Sequence, residues 1–220
     1  DDDMLCEPDL LEEHARSYRD GADAVVGDFT EPGSQGGFLS RKLAERIRDG
    51  GSTALTPFDI FGGHISVRRS AFESIGGFDE SFGGNGDYGD FDIGHRLLRS
   101  CAVRHNPKAV SHHGGVLGAL QYIRRARNCA NATVRFTAKH PELQRELRQW
   151  RGSGRIGRPL RLLSGIPVIP GIIAELAGYV AEVGSRTPLR SSPGLAYIRG
   201  AAYTLAYWST MQRNGGIAEL

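Results

Sequence analysis

The residues best suited to chemistry in this chain are carboxylates and histidines gathered in three short segments. The first is the run Asp1-Asp2-Asp3. Consecutive carboxylates repel one another, and a bound cation relieves that repulsion. Their hard oxygen atoms suit Mg²⁺ or Mn²⁺. The same run is also typical of a solvated acidic loop, so it predicts a metal site only in combination with other ligands.

A second set of carboxylates, Asp87, Asp90 and Asp92, stands around the start of an expected helix and within or after a glycine-rich loop. Aspartate in the first turn of a helix accepts hydrogen bonds from free backbone N–H groups, so we expect one of the three to be a cap. An aspartate in the same place can also face a cleft and accept a proton from a substrate hydroxyl. The set therefore predicts a general base.

Two adjacent histidines, His112 and His113, end an expected strand and precede a pair of glycines. A neutral imidazole at a strand end can complete the ligand set of a metal ion. Histidines at such positions are also often ordinary surface residues. We expect one of the two to be a ligand and the other a surface residue.

Strands and helices alternate through the first half of the chain, which predicts an α/β layer fold that positions these groups. Apolar runs, glycines and prolines set the expected bounds. Helices are predicted at Pro8–Asp20, Phe38–Asp49, Ser70–Ile75 with Ser70 as its N-cap, and about Asp90–Ser100. Strands are predicted at Ala22–Gly27, Phe58–Val67 with an interruption at Gly62-Gly63, Ala102–His105 and Lys108–His112.

The pattern changes after Gly114 and is helical from about Leu117 to the end. Breaks are predicted at Arg151–Gly157, at Pro167 and Pro170, and at Arg186–Pro193. We therefore predict a boundary near Gly114, with a catalytic part at residues 1–113 and a basic and apolar helical region at residues 114–220.

Charge is distributed unevenly along the 220 residues, although the formal net charge is only +2. Residues 1–113 contain 12 basic and 20 acidic side chains, whereas residues 114–163 contain 11 basic and 2 acidic. The acidic half suits a cation, and the basic segment suits phosphates or a membrane surface. No RNA- or DNA-binding motif accompanies it, so no nucleic-acid partner is expected. Three cysteines without metal or redox spacing predict reduced thiols and a cytoplasmic location.

The helical region contains a basic amphipathic segment from Tyr122 and a strongly apolar segment at Ile166–Val183. Two prolines, Glu175 and its short length argue against a membrane span in the second segment. Both segments suit either a packed helix with a solvated face or a helix at a membrane interface. We keep peripheral contact with the cytoplasmic face of a membrane as a hypothesis.

Four segments occur in an order that resembles the family 2 glycosyltransferases. DDDMLCEPDLLEEH resembles the DxD segment of that family, and FGGHISVRRSAFESIGGFDESFGGNGDYGDFDIGHRLLRS resembles its block around the motif GGFDE. KAVSHHGG resembles the strand end that contacts metal or diphosphate, and QYIRRARNCANATVRFTAKHP resembles the basic helix that follows. The resemblance covers about residues 1–141.

The resemblance implies a GT-A fold, a mixed sheet with helices on both faces, of which this chain would carry the C-terminal half of the catalytic domain. Family members have a nucleotide-binding half before the DxD motif, and we expect it to be missing here or supplied by another chain. The implied reaction moves a sugar from a nucleoside-diphosphate sugar to an acceptor hydroxyl, with inversion at the anomeric carbon. A saccharide or lipid-linked acceptor of the cell envelope is expected.

Roles for individual residues follow from the same resemblance. Asp3 is the expected ligand of Mn²⁺ or Mg²⁺, Asp1 binds the metal or the ribose, and Asp2 contacts the donor. His112 is the expected far-side ligand or diphosphate contact, with His113 as the alternative. The metal would neutralise charge on the departing diphosphate.

The block around the GGFDE motif supplies the remaining roles. Asp90 aligns with the general base of the family. Gly62 and Gly63 are expected to let the donor sugar approach the backbone, and His64 stands where the family often has Asn. Gly89 stands where the family has Glu, a departure that removes an acceptor or donor contact for which Asp87 is the expected substitute. Asp87, Gly89 and Asp92 are the expected acceptor-site residues. Arg96 is expected to pair with Asp92 at helical spacing, or with Asp79.

A protein without catalytic activity is the alternative that the sequence leaves open. In that interpretation the glycosyltransferase site is degenerate because the Glu is replaced by Gly89, and the basic helix binds a membrane surface or serves as a scaffold. Retention of Asp90 and of the acidic and histidine residues favours the enzyme. Metal-dependent turnover of a nucleotide sugar would discriminate between the two.

Overall fold

A computed structural model describes residues 4–31, 34–82, 88–114, 118–147, 169–188 and 192–214. The chain divides into two compact units. The described residues of the first unit are 4–82, apart from 32 and 33, and 89–114. The second unit contains Tyr88 and the described residues from 118 onward. Gly114, where we predicted the boundary, thus belongs to the first unit.

The first unit is built on a mixed sheet of four strands, which confirms the predicted α/β class, although its strand at residues 4–6 was not predicted. The strands are β1 (Met4–Cys6), β2 (Ala24–Thr30), β3 (Ile65–Val67) and β4 (Val103–His113), in the order β1-β4-β2-β3. β2 pairs with β4 in parallel, and the two outer pairs are antiparallel. β2 is the buried strand of the sheet, because its first three residues are at most 2% exposed.

Four helices accompany the sheet and confirm the helices predicted for this half. They are α1 (Leu10–Arg19), α2 (Phe38–Arg48), α3 (Arg69–Ser74) and α4 (Gly89–Ser100). Glycine with positive φ follows the first three, as at Gly21 with φ +89°, where a side chain would be strained. The predicted cap of α3 was wrong: Arg68 holds the N-cap position, Ser70 lies inside the helix, and no side chain caps it.

The predicted strand at Phe58–Val67 was wrong in its first seven residues. Two single turns of 3-10 helix, Pro57–Asp59 and Gly62–His64, precede the short strand β3. Pro57 fixes φ at the start of the first turn and has no N–H for a strand ladder. The apolar run therefore folds back on itself before it enters the sheet.

A buried carboxylate, that of Asp59, fixes this fold-back to α2. It accepts hydrogen bonds from the Thr56 N–H at 2.8 Å and from Arg46 at 2.7 and 2.8 Å, and Lys42 Nζ lies 2.7 Å away. Burial alone would raise the pKa of Asp59, but the two cations and Thr56 outweigh burial and hold the pKa below its ordinary value. Local periodicity could not reveal these long-range partners.

One long strand, β4, replaces the two short strands predicted on either side of Pro107. His105 pairs with Val26 and Val110 pairs with Asp28, so four residues of β4 stand opposite the single residue Gly27. The extra residues form a bulge in which the missing N–H of Pro107 costs no ladder bond.

A side chain from β2 caps α2 across the intervening loop. The Asp28 carboxylate, 1% exposed, accepts hydrogen bonds from the N–H groups of Leu39 at 2.9 Å and Ser40 at 3.0 Å. Gly37 is the N-cap residue, and a Cβ placed on it would lie 2.0 Å from Asp28 Cγ. The carboxylate thus occupies the space that any larger residue at position 37 would need.

The second unit is α-helical in its described part, as predicted. It contains α5 (Ala119–Lys139), a 3-10 turn at Pro141–Leu143, α6 (Ile169–Ser185) and α7 (Pro193–Arg213). The break predicted at 186–193 is confirmed, and Pro170 lies in the first turn of α6, where proline is tolerated. The breaks predicted at 151–157 and at Pro167 lie outside the described residues.

Small and apolar side chains form the core of this helical unit. Ala126 and Ala130 of α5, Ala174 of α6, and Ala202 and Ala206 of α7 are completely buried in one cluster. The hydroxyls of Tyr88 and Tyr207 each lie 2.7 Å from Thr133 Oγ1, in a buried polar group at the centre of the unit. Among the described helices, none is both long and apolar enough to cross a bilayer.

Gly37→Ala tests the cap that Asp28 provides. The new methyl group would displace the buried carboxylate from the N–H groups of α2, so we expect a loss of about 2 kcal/mol in the free energy of unfolding. Gly89→Ala is the matched control in the same unit, because among the described residues its Cβ would meet only Phe82 Cβ, at 3.7 Å. Urea unfolding followed by circular dichroism compares the two, and equal midpoints would contradict the cap.

Candidate functional site

Asp90 lies in the first turn of α4 and faces the 3-10 turn at Gly62–His64. One carboxylate oxygen accepts a hydrogen bond from the Phe91 N–H at 2.9 Å, and the other lies 3.4 Å from the Gly62 N–H. In the first contact Asp90, already inside the helix, accepts from an N–H of the first turn, where a negative charge is favoured. The second turns the carboxylate toward an exposed stretch of backbone. Asp90 is half-buried, so this oxygen is within reach of a ligand at the surface.

Among the described residues, little packs against the backbone opposite Asp90. Gly62 is exposed, and of the described atoms a Cβ added to it would meet only Asp90 Cβ, at 3.6 Å. Packing within the described residues therefore does not require glycine at this position. A glycine brings the backbone itself to the surface here, which suits the close approach of a substrate.

An aromatic cluster that the sequence analysis missed borders this pair. The Phe61 ring lies 5.8 Å from Phe29, 5.3 Å from Phe38 and 6.4 Å from Phe91, and all three pairs are edge-on. Phe29 also stacks on Phe38 at 5.0 Å. Because Phe61 precedes Gly62 and Phe91 follows Asp90, the cluster forms an apolar border on both segments of the site. Scattered phenylalanines give no periodic signal, so only the fold reveals it.

The two adjacent histidines point to opposite faces of the sheet, as the alternation of a strand requires. His112 Nδ1 lies 2.7 Å from Thr30 Oγ1, and its Nε2 lies 2.5 Å from Glu7 Oε1. The His113 ring instead lies 6.3 Å from the ring of Phe29, a member of the aromatic cluster. The structure therefore brings His113, the alternative of the sequence analysis, toward the Asp90 side. His112 has partners at both nitrogens.

The metal ligands predicted from the sequence are only partly within the described residues. Asp1, Asp2 and Asp3 lie outside them, as does Asp87. His112 and Glu7 supply an imidazole nitrogen and a carboxylate oxygen of the kind a divalent ion accepts. No third His, Cys, Asp or Glu among the described residues groups with that pair. A metal at this sheet end would therefore depend on Asp1 and Asp3.

The His64 ring packs inside the first unit rather than beside Gly62. The residue is 6% exposed, its Nδ1 lies 2.8 Å from Ser111 Oγ, and its ring stacks on His14 at 5.8 Å. A Cβ on Gly27 would lie 2.2 Å from His64 Nε2, so the glycine makes room for the ring. The geometry gives His64 a packing role, and its contact with the donor sugar stays a prediction.

Burial makes the His64 imidazole a weak base. Burial, together with the nearby His14, lowers the pKa of His64 to about 4, while Asp28 opposes the shift. Nε2 is buried and has no hydrogen-bond partner among the described residues, so protonation would place there a charge that no hydrogen bond from those residues stabilises. The imidazole is therefore neutral at neutral pH.

Asp92 is held in the interior by the arginine that helical spacing predicted. Its Oδ2 accepts hydrogen bonds from Arg96 at 3.0 and 2.6 Å, and Arg96 also donates to the Ile75 and Gly77 carbonyls at 2.6 Å. Asp92 is completely buried. The pair fixes the loop after α3 against α4, and the predicted acceptor contact of Asp92 would require this interior pair to open.

The replacement of the family Glu by Gly89 is not forced by crowding. A Cβ at Gly89 would meet Phe82 Cβ at 3.7 Å, an ordinary contact. A side chain at this position would fit at the start of α4, one residue before Asp90. Among the described residues, Gly89 thus leaves room for a larger side chain beside Asp90.

The low pKa of His64 predicts acid-dependent stability. The pKa near 4 in the folded state lies below the ordinary 6.5, so between these values only the unfolded chain binds the proton. We expect the free energy of unfolding to fall by up to about 3 kcal/mol as pH decreases through this window. In His64→Asn this part of the loss should disappear. Urea unfolding above pH 6.5 and near pH 4 measures it, and an unchanged pH dependence in the variant would contradict the assignment.

Comparisons with known protein families, with curated proteins and with solved structures find no match for this chain. The resemblance to family 2 glycosyltransferases therefore depends on the order and spacing of sequence motifs. The chemistry of the site has to be inferred from the placement of Asp90, the Gly62 turn and the aromatic cluster.

Proposed function

We propose that this chain is the acceptor-side part of an inverting glycosyltransferase catalytic domain with a GT-A fold, and that Asp90 is its general base. The observation that carries the proposal is the half-buried Asp90 carboxylate at the start of α4, turned toward the exposed backbone of Gly62. The mixed sheet with accompanying helices supports a GT-A domain at the level of architecture.

Asp90 would act on the hydroxyl of the acceptor. As the acceptor oxygen forms its bond to the anomeric carbon, the hydroxyl proton passes to the carboxylate and the bond to the nucleoside diphosphate breaks. One displacement inverts the anomeric carbon. The Phe91 N–H holds one carboxylate oxygen at 2.9 Å, and the oxygen that faces the Gly62 N–H at 3.4 Å would be the one that takes the proton.

The neighbouring groups suit the two substrates. The exposed Gly62 backbone would lie against the donor sugar, and the Phe61 and Phe91 rings would exclude water from one side of the reacting bond. The space beside Gly89 would admit the acceptor. Backbone contact with a sugar would explain a glycine at position 62, which packing among the described residues does not require.

Mn²⁺ or Mg²⁺ would neutralise charge on the departing diphosphate. Asp3 and Asp1 would hold the ion, and His113, whose ring lies 6.3 Å from that of Phe29, would be the histidine beside the aromatic cluster. His112 would orient Glu7 at the sheet edge through their 2.5 Å contact.

Asp90→Asn tests the proposal. The amide keeps the shape of the side chain but cannot take the proton, so we expect sugar transfer to fall by about a hundredfold to ten-thousandfold. The complete product of the gene is screened with nucleotide sugars for release of nucleoside diphosphate, with Mn²⁺ or Mg²⁺ and after chelation. Asp20→Asn, an exposed aspartate at the end of α1, is the control and should keep full activity.

Two results would contradict the proposal. Equal activity of Asp90→Asn and the wild type would exclude Asp90 as the base. Absence of turnover with every nucleotide sugar, in folded protein supplied with membrane and saccharide acceptors, would favour the non-catalytic surface-binding alternative.

A further inference from the structure

In helix α6 the distribution of buried and exposed side chains is the reverse of that in an ordinary helix of a water-soluble domain. The side chains that it buries are small: Pro170, Gly171, Ala174, Gly178 and Ala181. Its large apolar side chains are on the outside, each between 47% and 63% exposed: Ile172, Ile173, Leu176, Tyr179, Val180 and Val183. An amphipathic helix in water normally buries the large residues and exposes polar ones.

Close helix packing explains why the small residues face inward. A Cβ on Gly178 would lie 2.0 Å from Ile123 Cδ1, and one on Gly184 would lie 2.5 Å from Leu195 Cδ1. Glycine therefore lets α5 and α7 approach the α6 backbone. Small residues between helices with large apolar residues outside are typical of helices in contact with lipid.

The exposed side chains recur at three- and four-residue steps, so they form one continuous strip, which we call the α6 apolar face. Leu120 of α5, 42% exposed, lies beside it, since Leu120 Cδ2 is 3.5 Å from the position of a Cβ on Gly178. Large exposed apolar strips are rare on monomeric soluble proteins, and they usually mark a surface that binds a partner or a membrane.

The charge of the second unit, to which the α6 apolar face belongs, favours an anionic partner. The described residues of the second unit include nine Lys and Arg against four Asp and Glu. Both acidic residues of α6 are neutralised: Glu175 by Arg127 at 2.5 Å, and Glu182 by Arg186 at 3.4 Å. Apolar side chains with a surplus of basic ones suit a bilayer of anionic phospholipid.

The length of α6 decides how it would meet a bilayer. Its 17 residues extend roughly 25 Å, short of the roughly 30 Å hydrocarbon core. Its opposite side is buried against α5 and α7, so only the outer face is available to lipid. The helix would therefore lie in the plane of the interface, with Tyr179 at the boundary that tyrosine prefers.

We propose that the α6 apolar face is a membrane-docking site that inserts into the interfacial layer of a bilayer containing anionic phospholipid. The residues that carry this proposal belong to the second unit alone. The proposal is therefore independent of the glycosyltransferase assignment, and either can fail without the other.

Vesicle flotation of the full chain tests the site. Wild type should float with vesicles of phosphatidylglycerol and phosphatidylcholine, and more weakly with phosphatidylcholine alone. Leu176→Glu should lower the apparent binding constant by about tenfold or more, because it places a charge where an apolar side chain enters lipid. Leu11→Glu, an exposed leucine of α1 at 80%, is the matched control and should bind like wild type.

A second variant guards against a folding artefact. Leu176→Trp should show a blue-shifted emission component on vesicle addition that the wild-type tryptophans do not show, and circular dichroism checks that both variants keep their helices. Failure of wild type to float would overturn the proposal. So would binding that persists in Leu176→Glu and is lost only at high salt, because the basic residues alone would then explain it.

A second copy of the chain is the competing occupant of the α6 apolar face. Light scattering in the absence of lipid decides this point. A monomer supports the proposal, whereas a dimer that Leu176→Glu converts to monomer would show that the face is a protein interface and would overturn it.

Discussion

The parallel pairing of β2 with β4 is the constraint on which the first unit depends. A Cβ on Gly27 would lie 2.2 Å from His64 Nε2 and 2.6 Å from the Ala109 carbonyl oxygen, so only glycine allows the bulge of β4 and the buried ring to meet there. Beyond the bulge the strands resume their register, with Phe29 beside Ser111. That register places Phe29 and His113 on the side of the Phe61 ring, next to the turn that faces Asp90.

Local signals in the sequence predicted the elements that carry the site. The glycines after α1 and α3 and the acidic start of α4 are signals that lie within a few residues of the helix ends they mark. The fold-back before β3 escaped prediction because Asp59 is held by Lys42 and Arg46 from another helix. The cap that Asp28 supplies to α2 escaped for the same reason, since it spans eleven residues.

In the candidate site, too, some features have a local sequence signal and others depend on long-range contacts. Asp90 and the Gly62 turn were singled out from their motifs, and the structure brings the two together. Which of His112 and His113 lies beside the aromatic cluster depends on how β4 directs its side chains. The aromatic border depends on the arrangement of the whole sheet. For α6, composition predicted an apolar helix, but only packing shows that the small residues face inward and the large ones outward. Its membrane role is therefore a structural inference that the sequence left as one of two alternatives.

The central claim is that Asp90 accepts the proton in a single displacement at the anomeric carbon. Proton NMR of the product, recorded early in the reaction before mutarotation or onward transfer, tests this claim most directly. A single displacement predicts an anomeric configuration opposite to that of the nucleotide-sugar donor. Retention of the donor configuration would require a different mechanism, and it would contradict the role proposed for Asp90.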